Sequence, residues 1–239
     1  SSMLAFQGDE KQRIGKLQYQ QEYLALFVGG IQRFFSDEVI DNTCILGREP
    51  FISYGDKFMG VDVARMGGDD TVLVSLDRFN REKLRQIDLE VTSKQYLTET
   101  ARLIIHKDKK INHKKIYIDA TGMGWGVFDY CMEHEQTRKK VIAIENVKKS
   151  LDKERHKDTH TFKRTMKEDL YNNLLSLMRE KKIELYNDPE LKQSLRSIQY
   201  ENDQNGLKIY GNFSHITEAL IRACWCMKDK SLNIWIHTA

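Results

Sequence analysis

The sequence predicts an α/β protein built on a mixed sheet with helices on its faces, and three observations carry that prediction. Apolar runs at 57–64, 71–78 and 83–90 are joined by connections too short for a crossover, so they read as antiparallel neighbours. The next stretch alternates, with helix patterns at 93–107 and 124–134 and strand patterns at 116–119 and 141–144. Two amphipathic helical patterns close the chain, at about 162–181 and 214–228.

Each element has a local reason. Ser93 is a suitable N-cap for the first helix, whose apolar set is Tyr96, Leu97, Ala101, Ile104 and Ile105. The long helix carries Met166, Leu170, Leu174, Leu175, Leu177 and Met178 on one face. Pro189 suits the first turn of a short helix. A hairpin is expected to join 198–200 with 207–210 across Asn205-Gly206. Ahead of all these, residues 18–35 have helical periodicity, interrupted by Gly29-Gly30. Pro50 and Gly55 bracket a boundary. The expected organisation is therefore a junction segment over 1–54 and one domain over 55–239, with no internal repeat.

Composition excludes several classes. Of 239 residues, 40% are hydrophobic, enough for a real core, and 31% are charged, as expected of a soluble protein. No apolar run is long enough to span a bilayer, and the N-terminus lacks the apolar region of a signal peptide. Cys44, Cys131, Cys224 and Cys226 are scattered, which favours free buried thiols over a zinc site or disulfides. A net charge of only +3 means that any nucleic-acid contact must come from a local basic patch.

Function enters with the acids. Asp62 interrupts an apolar run, and a carboxylate buried in a strand costs several kcal/mol unless something compensates it. Asp119 ends the run Ile-Tyr-Ile-Asp, and Glu218 lies in the last helix among apolar neighbours. If the first and fourth strands are parallel neighbours, Asp62 and Asp119 converge at one sheet edge. Oxygen ligands gathered in this way suit Mg²⁺ or Mn²⁺. Taken singly, each acid has a plainer reading: Asp119 as a turn former, Glu218 as a surface residue, and Asp69 and Asp70 as a solvated turn after Gly67-Gly68.

Other signals surround the acids. Residues 122–126 read Gly-Met-Gly-Trp-Gly between a strand and a helix. The spacing is not that of a dinucleotide-binding loop, and an Asp precedes the turn, so a tight turn beside the acids is the expectation. Lys148, Lys149, Lys153, Arg155, His156, Lys157, Lys163 and Arg164 form a basic stretch, readable as a solvated loop or as a loop that tracks phosphates. His156 and His160 have a metal-compatible spacing but no Cys partner nearby. No Gly-x-x-x-x-Gly-Lys-Ser/Thr motif occurs, so ATP hydrolysis is not expected of this chain.

In these residues the sequence resembles the C-terminal nuclease domain of viral terminase large subunits, the DNA-packaging motors of tailed phages and herpesviruses. The matching pieces are Gly60-Val61-Asp62-Val63-Ala64 with Gly68-Asp69-Asp70-Thr71, and Tyr117-Ile118-Asp119-Ala120-Thr121-Gly122-Met123-Gly124. Phe162-Lys163-Arg164, Glu218-Ala219-Leu220 and the segment from Gln20 to Phe27 extend the match over nearly the whole chain. The resemblance implies a ribonuclease H-like fold and a two-metal endonuclease that cuts concatemeric double-stranded DNA with little sequence preference. It implies Asp62, Asp119 and Glu218 as the triad for two Mg²⁺ or Mn²⁺ ions, with Asp70 rather than Asp69 as an auxiliary ligand. The family usually has Asp where Glu218 stands, so the third ligand has a longer arm here. His215, about one turn earlier, would support the site or contact the scissile phosphate. The basic stretch would border the cleft and bind DNA. An upstream ATPase domain, a portal protein and a small terminase subunit are the implied partners, with no membrane. The implied location is the procapsid portal, in the host cytoplasm or, for a herpes-like virus, the nucleus. The alternatives are another ribonuclease H-like enzyme, such as a junction resolvase or transposase, and a non-catalytic module that docks DNA or a portal protein.

Overall fold

The structure, a computed structural model, describes residues 32–48, 54–64, 70–80, 82–146, 165–203 and 206–229. It opens with strand β1 (Gln32–Arg33), helix α1 (Asp37–Thr43) and strand β2 (Cys44–Leu46). Strands β3 (Asp56–Asp62), β4 (Asp70–Phe79) and β5 (Lys83–Ser93) follow, then helix α2 (Leu97–Ile111) and strand β6 (Lys115–Asp119). Next come α3 (Gly124–Glu133), β7 (Val141–Ile144), α4 (Met166–Arg179), β8 (Ile183–Tyr186) and α5 (Pro189–Ser197). The hairpin β9 (Gln199–Asp203) and β10 (Gly206–Tyr210) leads to α6 (His215–Ala223), which tightens into a 3-10 turn at Cys224–Met227.

Seven strands form one sheet in the order β2-β8-β5-β4-β3-β6-β7, and β1, β9 and β10 form a second, small sheet. β3, β4 and β5 are antiparallel neighbours, as their short connections require. β6 runs parallel to β3, and β7 parallel to β6, each after a helical crossover. Side chains alternate across the sheet. Phe58 and Tyr117 join the larger core beneath α1, α4, α5 and α6, whereas Met59, Val61, Ile116 and Ile118 join a smaller core beneath α2 and α3. All four cysteines are buried and free. Among the described residues no helix is long and apolar enough to cross a membrane.

Several boundaries differ from expectation for physical reasons. Ser93 does not cap α2; it ends β5, paired with Asp70. Lys94 then takes a positive φ of 55°, and the helix starts at Leu97, with the Glu99 carboxylate accepting from the Tyr96 amide at 2.9 Å. The short run Ile183–Tyr186 was not expected as a strand; it becomes β8 by pairing in parallel with both β2 and β5. In the hairpin Asp203 pairs with Gly206, so Gly206 belongs to a strand and not to the turn. Residues 32–46, within the expected junction, contribute β1, β2 and α1, and bury Phe34, Phe35, Ile40 and Cys44 in the larger core. The expected helical pattern over 18–31 lies outside the described residues.

A buried polar row fastens α2 to the sheet. The Asp108 carboxylate can only accept, so His113 donates to it from Nδ1 (3.2 Å) and accepts from the Ser75 hydroxyl at Nε2 (3.0 Å). Ser75 is fully buried, so this Ser-His-Asp row is structural and meets no substrate. Burial opposes the Asp108 charge, but hydrogen bonds from His113, Lys140 and Gln136 hold its carboxyl down at about 2, against an ordinary 3.8. Because the folded value is depressed, the stabilisation is complete above the unfolded value and is lost as pH falls through the folded one. Asp108→Asn is expected to cost about 2 kcal/mol near neutral pH. In urea unfolding, the gap from wild type should narrow as pH falls from about 4 towards 2.

Candidate active site

Parity along the strands selects the acids. Asp62 lies on the same face of β3 as Phe58, and Asp119 on the same face of β6 as Tyr117, because residues two apart share a face. The parallel β3–β6 pairing sets both acids at the C-terminal edge of adjacent strands. Helix α6 crosses this face very close to the sheet. A Cβ on Gly60 would meet the Ala219 carbonyl oxygen at 2.0 Å and the Ala223 nitrogen at 2.4 Å, so only glycine permits the approach. That contact brings Glu218 and Arg222, one helical turn apart, over the two aspartates. Gly124 makes a second close approach, with its Cα against the Asp119 carbonyl, and the Thr121 amide donates to Asp119 Oδ1 at 2.9 Å. The glycine-rich turn is thus a tight fit beside the acid, as expected.

At the centre lies Arg222, fully buried. Its Nη1 donates to Glu218 Oε2 (3.0 Å) and to the Glu218 carbonyl oxygen (2.6 Å), and lies 3.7 Å from Asp62 Oδ1. Its Nη2 donates to Asp119 Oδ2 (2.5 Å) and to Asn146 Oδ1 (3.0 Å). Among the described residues its Nε is a buried donor without a partner. The second oxygen of Glu218, Oε1, accepts from the Tyr171 hydroxyl at 2.7 Å and sits 3.3 Å from Lys167 Nζ. His215, at the first turn of α6, lies with Nδ1 2.9 Å from Asp62 Oδ2. The structure therefore gathers Asp62, Asp119 and Glu218 around one guanidinium, with His215 beside Asp62.

The charges respond to this packing. Burial pushes the Asp62 carboxyl up, against the pull of His215 and Arg222. Burial also acts to raise Glu218, but Arg222, Lys167 and the Tyr171 hydroxyl outweigh it and hold the carboxyl below its ordinary value. Burial and the Glu218 charge raise the Tyr171 phenol. Burial works against the Arg222 charge, and Asp119, Glu218 and Asp62 more than offset it.

Asp70 begins β4 at the same sheet edge, two residues before the Asp62 partner Val72. Among the described residues no hydrogen bond or ion pair joins it to the other three acids. Asp69, Lys148, Lys149, Lys153, Arg155, His156, Lys157, His160, Lys163 and Arg164 lie outside the described residues. The acids supply only oxygen donors, which fits a hard divalent cation. With Arg222 between them, however, no group of three or more His, Cys, Asp or Glu side chains among the described residues is arranged to hold an ion.

Arg222, Tyr171, Lys167 and Asn146 did not stand out in the sequence. Arg222 carried the one legible sign: four residues after Glu218, within Ala-Leu-Ile-Arg-Ala-Cys, it is an ion-pair spacing in an apolar setting. Tyr171 and Lys167 look like ordinary residues of an amphipathic helix, and Asn146 like loop. Removing one partner of a buried ion pair strands the others, which typically costs about 3–5 kcal/mol. Arg222→Met is therefore expected to lose about that much stability by urea unfolding in metal-free buffer. A change within about 0.5 kcal/mol, the range of ordinary surface substitutions, would contradict the arrangement.

Neither a protein-family model nor a curated protein sequence matches the chain. Solved structures do. The large terminase nuclease from thermophilic phage G20c with bound magnesium superposes with a TM-score of 0.62 at 18% identity, covering 80% of this chain and 96% of that one. The Thermus phage P74-26 large terminase nuclease domain gives 0.59 at 16% identity, covering 80% and 94%. The large terminase of a further thermophilic bacteriophage gives 0.64 at 14% identity; the match covers 92% of this chain and about half (51%) of that longer protein. The mixed antiparallel and parallel sheet expected from the sequence is thus a ribonuclease H-like one, and the chain has the fold of phage large-terminase nuclease domains.

Proposed function

We propose that the chain is the nuclease domain of a viral DNA-packaging terminase, a divalent-cation-dependent endonuclease that cuts concatemeric double-stranded DNA with little sequence preference. One observation carries the reading: Asp62, Asp119 and Glu218, from two strands and a helix far apart in sequence, meet on one sheet edge of this fold. The magnesium and cobalt bound to the G20c nuclease support the choice of cation class, with Mg²⁺ or Mn²⁺ as the working ion here. Asp62 and Asp119 would hold the ion, Glu218 would complete the centre, and Asp70 would assist from the neighbouring strand end. A bound cation supplies Lewis acidity towards a water and the phosphate. The chain's own residues set its conditions. Arg222, Lys167 and Tyr171 hold Glu218 ionised, and His215 orients Asp62 and is exposed enough to reach a scissile phosphate. A second ion, which the terminase resemblance implies, would have to share this space with Arg222.

Lys148, Lys149, Lys153, Arg155, Lys157, Lys163 and Arg164 would track the DNA backbone beside the cleft. An upstream ATPase domain, which the terminase resemblance implies, would feed DNA to this one; a longer large terminase has been solved in complex with ATP-gamma-S. The full motor would work with a portal protein and a small terminase subunit, at the procapsid portal in the host cytoplasm or nucleus. Residues 1–54 would carry the link to the ATPase, with 32–46 built into the same core as the catalytic unit over 55–239. The guanidinium among the acids favours one second reading, a non-catalytic module that docks DNA or a portal protein.

A plasmid-nicking assay with Mn²⁺ separates the two. The full chain is expected to nick supercoiled DNA, and Asp62→Asn and Asp119→Asn to reduce nicking to background. Nicking that survives Asp62→Asn would dismiss the assigned chemistry, and no nicking by wild type would favour the docking module. The basic stretch has its own test, because each phosphate contact contributes about one unit to the slope of log affinity against log salt. Replacing Lys148, Lys149 and Lys153 by Ala should weaken duplex binding regardless of sequence and flatten that slope by roughly three. An unchanged slope would return the stretch to a solvated loop.

A further inference from the structure

Resting on the metal-dependent nuclease reading, we infer that Arg222, together with Lys167, takes the place of one of two cations, so that the centre binds a single divalent ion through Asp62 and Asp119.

Charge balance is the first ground. In a two-ion phosphodiester centre, three carboxylates and two divalent ions leave one net positive charge, which the substrate phosphate cancels. Here Arg222 and Lys167 already contribute two positive charges against Asp62, Asp119 and Glu218. One divalent ion brings the centre to the same single positive charge. A second would leave an excess of three, buried where charge is costly.

Acceptor capacity is the second ground. Both oxygens of Glu218 are engaged, Oε2 by Arg222 and Oε1 by Tyr171 and Lys167. Among the described residues, open capacity remains on Asp62 Oδ1, at 3.7 Å from Arg222 and beyond a hydrogen bond, and on Asp119 Oδ1, where the Thr121 amide donates. These are the two strand-end acids.

The third ground is that charge alone does not hold the guanidinium. Nη1 also donates to the Glu218 carbonyl and Nη2 to the Asn146 side-chain oxygen. Displacing Arg222 to admit a second ion would strip these neutral acceptors as well as the carboxylates. Arginine also keeps its proton throughout, so its charge is permanent in a way that an ion's occupancy is not.

The test counts ions. Mn²⁺ is titrated into the full chain mixed with a short phosphorothioate duplex, and bound Mn²⁺ is read by electron paramagnetic resonance. Wild type should bind one equivalent, with no Mn–Mn spin coupling. Arg222→Met should bind two, with the coupling expected of ions about 4 Å apart. Two coupled ions in wild type would overturn the inference and leave the nuclease reading standing. So would no ion in wild type with ions in Arg222→Met, or one ion in both. If Arg222→Met fails to fold, the wild-type count and spectrum decide alone. No ion in either protein, with no plasmid nicking, would instead remove the nuclease reading on which the inference rests.

Discussion

A fully buried guanidinium shared by three carboxylates is the interaction on which the rest of the site depends. Taking such ions out of water costs several kcal/mol each, and good hydrogen bonds must repay it. Arg222 supplies them with both terminal nitrogens, to Glu218, Asp119 and Asn146, and lies beside Asp62. Each acid therefore needs the arginine, and the arginine needs them. The cluster joins β3, β6 and α6 with the end of β7, so its geometry is also the geometry of the sheet's C-terminal edge.

The surrounding fold holds this cluster in register. Gly60 lets α6 lie against β3, which sets the height of Glu218 and Arg222 above the strand-end aspartates. Helix α4 closes the far side, where Tyr171 and Lys167 reach Glu218 and the Asn173 amide donates to the Cys224 carbonyl at 2.9 Å. On the opposite face of the sheet the Asp108–His113–Ser75 row fixes α2. The two polar systems use similar chemistry to different ends. The row on α2 is sealed, with every member buried, whereas the acid cluster has His215 about one-third exposed at its rim.

The permanent positive charge at the centre bears on how such a site works. Carboxylates gathered without a cation repel one another. Here Arg222 relieves that repulsion inside the folded chain, and Glu218 stays ionised despite its burial. Burial raises the Asp62 carboxyl against the pull of His215 and Arg222, the latter 3.7 Å away.

The antiparallel run of β3, β4 and β5, the crossovers to β6 and β7 and the last helix were legible from short connections and apolar periodicity, because those patterns are local. So were Asp62, Asp119 and Glu218, since an acid inside an apolar run announces a cost that something must meet. What the sequence by itself determined was therefore the strand and helix types and the acids worth watching. The tertiary structure alone decided the rest. β8 is a strand only because β2 and β5 flank it, and β1 and β2, within residues 32–46, pair with strands more than a hundred residues away. Arg222 sits among the acids because Gly60 admits α6 at that height. Long-range pairing and close backbone approach leave no periodic trace along the chain, and the identity of the cation that the acids face depends on both.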